Sequence, residues 1–174
     1  SLPNTIVKNN VVQNCVETGI EGPYELVYHN TVKNTGENSV ARYTGSTEAI
    51  YIKPTTEFEQ KYIGNTIETR GLRCFSSYSN RDDEYKGIYI LNNSMNLKNT
   101  DASIACNYTR SDIEINCKKI KKIVIENNTG MMKDKKSVNI YTDKGYVMDY
   151  FSIHNPCMIG SVPEKARYCF NINN

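Results

Sequence analysis

The stretch Asp112-Ile113-Glu114-Ile115-Asn116-Cys117 alternates polar and apolar side chains without a break. A period of two is the signature of a half-buried β-strand. Ile113, Ile115 and Cys117 share one face, and Asp112, Glu114 and Asn116 share the other, which is expected to be wet. The same alternation marks Tyr24–His29, Ala49–Ile52, Leu72–Phe75, Gly87–Leu91, Lys121–Glu126, Ser137–Tyr141 and Tyr146–Phe151. Turn residues separate these runs, most strongly at 19–23, 34–36, 44–46, 127–130 and 143–145. Asp143-Lys144-Gly145 between two alternating runs predicts a hairpin with Gly145 in the left-handed conformation. About ten short strands at such spacing predict an all-β, two-sheet β-sandwich or, failing that, a barrel. One short helix is expected after Pro54, over Thr56–Lys61, with Thr55 or Thr56 as its N-cap. With no internal repeat and no low-complexity linker, residues 1–174 are read as one domain.

Apolar residues make up 39% of the 174, below the usual share and consistent with thin layers. No apolar run is long enough to span a bilayer. The six cysteines, Cys15, Cys74, Cys106, Cys117, Cys157 and Cys169, form no Cys-x-x-Cys pair. Without metal-type spacing they are read as disulfide staples of open connectivity, and no metal is expected. Three glycosylation sequons begin at Asn92, Asn107 and Asn127. Cysteines and sequons together predict a secreted, extracellular glycoprotein. The start, Ser1–Thr5, has neither the charged nor the apolar region of a signal peptide, so a leader already removed or a longer exported protein is expected. Asn, Ile, Lys and Tyr are abundant and Trp is absent; AT-rich codons account for that bias, although Tyr is also favoured on binding surfaces.

Enzyme motifs are missing: no nucleophile elbow, Walker loop, dinucleotide fingerprint or His-Glu-x-x-His. His29 falls in an alternating strand, and His154 stands near Cys157, which could not act as a thiolate if oxidised. Neither catalysis nor a cofactor is expected. Asp82-Asp83-Glu84 reads as an acidic loop tip, and a glycosidase pair could only be assembled from distant residues. From Glu48 to Glu84 acids outnumber bases seven to five, and from Lys118 to Lys144 bases outnumber acids eight to three. Two ordinary solvated faces would explain this. An acidic surface for a basic partner, with a glycosaminoglycan-binding edge at Lys118, Lys119, Lys121 and Lys122, would explain it equally. Nucleic acid is disfavoured because no aromatics interleave the lysines. The best-defined binding surface is the outer face of Asp112, Glu114 and Asn116, with Asp82, Asp83 and Glu84 as a second choice.

Several segments resemble the poxvirus immune-evasion β-sandwiches. They are most similar to the SECRET domain, the C-terminal chemokine-binding domain of viral tumour-necrosis-factor receptor homologues of the Crm type. The likeness is carried by Ile104-Ala105-Cys106, Ile113–Cys117, Ser137–Asp143, Asp149-Tyr150-Phe151 and Val162–Cys169, all in the C-terminal two-fifths. The resemblance implies a disulfide-stapled sandwich, probing host chemokines through an exposed sheet and sequestering them. It also places the chain at the C-terminal part of a longer viral receptor. Relatives that retain class I histocompatibility molecules carry a retrieval tail, whereas this chain ends Cys169-Phe170-Asn171-Ile172-Asn173-Asn174. A salivary-type lipocalin holding a small ligand is the alternative from a different class, and the missing Trp argues against it.

Overall fold

The computed structural model describes residues 4–36, 47–98, 111–131 and 138–155, together with the backbone of 170–173. All of its regular structure is strand. The chain winds in coils; each of the first four lays one strand into each of three sheets, and the last two lay strands into two of them. The first coil holds β1 (Ile6–Lys8), β2 (Val11–Gln13) and β3 (Ile20–Gly22). The second holds β4 (Leu26–Tyr28), β5 (Thr31–Thr35) and β6 (Glu48–Ile52), and the third β7 (Glu59–Ile63), β8 (Thr66–Thr69) and β9 (Arg73–Tyr85). The fourth holds β10 (Gly87–Leu91), β11 (Ser94–Leu97) and β12 (Ser111–Ile120). Then come β13 (Lys122–Glu126) with β14 (Val138–Tyr141), and β15 (Tyr150–His154) with β16 (Phe170–Asn173).

Every strand pairs in parallel with its counterpart one coil away. The first sheet runs β1-β4-β7-β10-β13-β15, the second β11-β8-β5-β2, and the third β16-β14-β12-β9-β6-β3. This is a parallel β-helix, and it replaces the expected two-sheet sandwich. Alternation could not tell the two apart. In both, a strand shows one face to an apolar interior and the other to solvent. What differs is the connection, since among the described residues consecutive strands turn a corner into a different sheet and none folds back as a hairpin.

Stacked coils place like residues over like. Val7, Val27, Tyr62, Ile90, Ile125 and Ile153 lie in register through the first sheet. Val12, Val32, Ile67 and Met95 do so in the second. Ile20, Ile50, Phe75, Ile113 and Val138 form the matching column of the third. Tyr62 meets Phe75 edge-on across the interior, with ring centres 5.9 Å apart. These columns make one continuous core, held by burial at about 25 cal/mol per Å² of apolar surface.

The corner between the first two sheets is built from asparagine. Asn10, Asn30, Asn65, Asn93, Asn128 and Asn155 stack one per coil. Each Oδ1 from Asn30 onward accepts both the backbone N–H and the Nδ2–H of the asparagine in the preceding coil, at 2.8–3.1 Å. The second Nδ2 proton goes to a strand carbonyl: Val7 for Asn30, Val27 for Asn65, Tyr62 for Asn93 and Ile90 for Asn128. The residue before the ladder asparagine turns the corner with positive φ, namely Asn9, His29, Gly64, Asn92 and Asn127. Asparagine and glycine tolerate that conformation best. At Gly64 a Cβ would also press on the His29 ring, which would have to move aside.

Other expectations change for local reasons. Thr55 Oγ1 accepts the N–H of Glu57 at 3.2 Å as an N-cap would, but the chain then enters β7 and no helix forms. Gly145 does take positive φ, and Tyr146 N–H reaches the Asp143 carbonyl at 3.0 Å. That turn joins β14 to β15 in different sheets, so it closes no hairpin. His29 stands at an exposed corner and not within a strand. The disulfide framework is also corrected for the described cysteines: Cys15, Cys74 and Cys117 are free thiols. Cys74 and Cys117 are fully buried and serve as small apolar side chains. Burial pushes the Cys117 thiol up to about 11. Cys106, Cys157 and Cys169 lie outside the described residues.

Replacing Asn65 by alanine strands the Asn30 N–H and one Nδ2–H. It also removes the side-chain donor to the Asn93 oxygen and to the Val27 carbonyl, while the backbone N–H of residue 65 still reaches Asn93. Asn65→Ala is expected to cost about 3–5 kcal/mol. Asn10→Ala, at the exposed end of the ladder, should cost under about 1 kcal/mol. Urea unfolding followed by circular dichroism compares the two.

Candidate functional site

The outer face proposed from the Asp112–Cys117 strand has the expected alternation, with Ile113, Ile115 and Cys117 buried. It is less open than expected. Asp112 is fully buried where β12 leaves its corner, beside Cys74, whose thiol its charge helps push up after burial itself. A partner protein cannot reach it there. Glu114 is mostly covered and pairs with Arg73 at 3.1 Å, and Arg73 also meets Glu48 at 3.6 Å. Asn116 is half-buried and keeps part of its surface in solvent.

Burial raises the Glu48 carboxyl to about 7, against the pull of Arg73 and a hydrogen bond from Thr18. The cluster therefore puts two carboxyl groups around one guanidinium under a nearly closed cover.

The second nominated group sits on a bulge. β9 and β12 run in step up to the pair Cys117–Ser79 and resume at Lys119–Glu84, so residues 80–83 of β9 bulge from the ladder. Their side chains divide. Asp82 turns to Lys118 at 2.9 Å, and Glu84 turns to Lys121 at 3.0 Å while accepting the Tyr146 hydroxyl at 3.1 Å. Lys118 and Lys121 accordingly hold both carboxyls below their usual range. Lys122 pairs with Glu59 at 2.9 Å, passing over Gly87, which offers no side chain in between. The acidic loop and the lysine ridge, two separate sites in the sequence, therefore meet through two ion pairs, while Asp83 and Lys119 form none among the described residues.

Arg81 and Asp83 face the other way. They line a cleft of about 390 Å³ with Tyr51, Lys53, Pro54, Thr55, Thr56, Tyr78, Ser79 and Tyr85. Its floor is the outer side of β6 and β9, and its rim is the bulge. Tyr78 is 54% exposed, and the Tyr51 hydroxyl leans toward the Tyr78 carbonyl at 3.5 Å. Tyr85 is buried and hydrogen-bonds to Ser79, which fixes the root of the bulge. Lys53 is engaged by Glu21 at 2.7 Å. Among the described residues, Arg81 and Asp83 form no ion pair. Sequence reasoning nominated Asp83 but missed the three tyrosines and Arg81. The only available signal was Tyr78-Ser79-Asn80-Arg81 continuing a strand past its apolar portion.

Two sequons prove to be ladder corners. Asn92 and Asn127 are the exposed positive-φ residues, and Asn93 and Asn128 are the ladder residues behind them. Their occurrence is explained by the fold whether or not a glycan is attached. Asn107 lies outside the described residues. Among those residues no group of His, Cys, Asp or Glu converges as a metal site would.

The Glu48 cluster predicts a pH effect. The carboxyl stays protonated to about pH 7 in the folded chain but ionises near its ordinary value of 4.5 when unfolded. Its contribution is fully present below about 4.5 and is lost as pH rises through 7. Thermal melts should show stability falling over that window by about 3 kcal/mol at most, and Glu48→Gln should flatten the profile. In comparisons with known proteins, no family model, curated protein or solved structure matches this chain.

Proposed function

We propose that the chain is a non-catalytic binding module whose ligand is a saccharide held in the Tyr51–Tyr78–Tyr85 cleft. The observation that carries this is the uncommitted pair Arg81 and Asp83 lining one cleft with the exposed Tyr78 and the half-buried Tyr51. Sugar rings offer C–H faces to aromatic planes, and their paired hydroxyls suit the forked geometry of a carboxylate or guanidinium. Thr55, Thr56 and Ser79 add hydroxyls that can donate or accept. A pocket combining apolar planes with a few convergent polar groups is the usual form of a small-ligand site.

Binding remains the class of function expected from the sequence, but the ligand and the place differ. Capture of a basic chemokine would need free anions. Asp112 is buried, Glu114 is tied to Arg73, and Asp82 and Glu84 are tied to lysines, so of the nominated acids Asp83 alone carries no such tie among the described residues. A glycosaminoglycan edge would need several free cations, and of its four lysines Lys118, Lys121 and Lys122 are paired, leaving Lys119. The resemblance that suggested chemokines implied a sandwich, and the fold removes that support.

Binding to a printed saccharide array, followed by calorimetry on the best hit, tests the proposal. Tyr78→Ala and Asp83→Asn should each weaken binding by about tenfold or more with unchanged melting temperature. No saccharide bound at millimolar concentration, or capture of a chemokine unaffected by both changes, would overturn it.

A further inference from the structure

The cleft opens onto a row of residues that strand register extends along the helix axis. Tyr78 of β9 stands opposite Asn116 of β12, and Asn116 stands opposite Tyr141 of β14. Asn116 and Tyr141 are half-buried, so each shows part of its side chain to solvent, as Tyr78 does more fully. The neighbouring rows that run through Ile113 and Ile115 are buried core. Since side chains alternate across a strand, this row belongs to the outer face.

Resting on the saccharide reading of the cleft, we infer that the ligand is a linear oligosaccharide lying parallel to the helix axis. The cleft holds one end, and Asn116 and Tyr141 hold the continuation. The spacing is imposed by the fold. Adjacent parallel strands lie about 4.8 Å apart, so Tyr78 and Tyr141 are separated by about 10 Å, the span of a disaccharide. An aromatic plane therefore recurs once per disaccharide, with the Asn116 amide between the two planes. That amide supplies both a donor and an acceptor, which suits hydroxyls of either role. Strands hold this spacing more rigidly than a loop could, so the row selects for an extended, regular polymer and not for a compact branched glycan.

An array of linear oligosaccharides from disaccharide to octasaccharide, followed by titration calorimetry on the intact chain, tests the inference. Affinity should rise by about tenfold between disaccharide and hexasaccharide of the preferred series. Tyr141→Ala should abolish that increment while leaving disaccharide binding unchanged. Asn116→Ala, a smaller change on the same row, should remove part of it, and Tyr141→Phe should retain it. Tyr78→Ala should weaken short and long ligands alike. Equal affinity for all lengths, or an increment that survives both Tyr141→Ala and Asn116→Ala, overturns the inference and leaves the cleft proposal standing. Failure of the unaltered chain to bind any saccharide overturns both.

Discussion

The asparagine ladder is the interaction on which the rest of the structure depends. At each corner the chain must turn sharply, and the turn leaves a backbone N–H directed along the helix axis inside the protein. An unpaired buried donor costs on the order of 1–3 kcal/mol. The amide oxygen of the asparagine one coil on satisfies that donor and the side-chain donor beside it. Because every rung makes the same bonds in the same direction, the ladder also sets register. A slip of one residue would take an asparagine off the stack and would turn the Val27–Tyr62–Ile90 column toward solvent. One constraint thus aligns the corner and the core together.

A fold closed in this way leaves its outer faces free to vary. The interior columns and the ladder occupy the inward positions, so insertions and charges collect at the bends and on the outside. The bulge at residues 80–83 is one such addition. Its alternate side chains serve opposite purposes. Asp82 and the adjoining Glu84 tie its back to Lys118 and Lys121, while Arg81 and Asp83 face the tyrosines. Exposed ion pairs are individually weak. Two of them, together with the Tyr85–Ser79 bond at its root, nevertheless restrict a short segment to one side of the sheet. Two acids and two lysines from the charge patches evident in the sequence are used in holding this element in place.

Much of the local structure was legible. Gly87–Leu91 is a strand with the bounds its alternation suggested, and Ile113, Ile115 and Cys117 do face inward. The positive φ of Gly145 followed from turn chemistry. The architecture was hidden because the coils differ in length, with ladder asparagines 20, 35, 28, 35 and 27 residues apart by their positions. Fixed-period comparison fails on such a series. The repeat lies in a short corner pattern: a strand, then a turn residue, then asparagine. It recurs as Val7-Lys8-Asn9-Asn10, Val27-Tyr28-His29-Asn30, Tyr62-Ile63-Gly64-Asn65, Ile90-Leu91-Asn92-Asn93 and Ile125-Glu126-Asn127-Asn128. The last corner, Ile153-His154-Asn155, is one residue shorter and aligns only through strand register.

The asparagine excess illustrates why composition alone misled. Codon bias accounts for how such a chain can come to be rich in asparagine, but not for where the residues stand. Six are rungs of the ladder, and Asn4, Asn9, Asn14, Asn34, Asn92 and Asn127 adopt positive φ. The residue has two separate uses here, an amide that both donates and accepts and a side chain that tolerates the left-handed turn. At Asn92-Asn93-Ser94 and Asn127-Asn128-Thr129 both uses fall side by side before the hydroxyl residue that opens the next sheet position. The glycosylation motif arises there from corner geometry. Motif-based inference about compartment is weakest in folds whose turns are themselves made of the motif's residues. The outer-face tyrosines have no such duty at the corners, which is why the proposed saccharide site rests on them and not on the sequons.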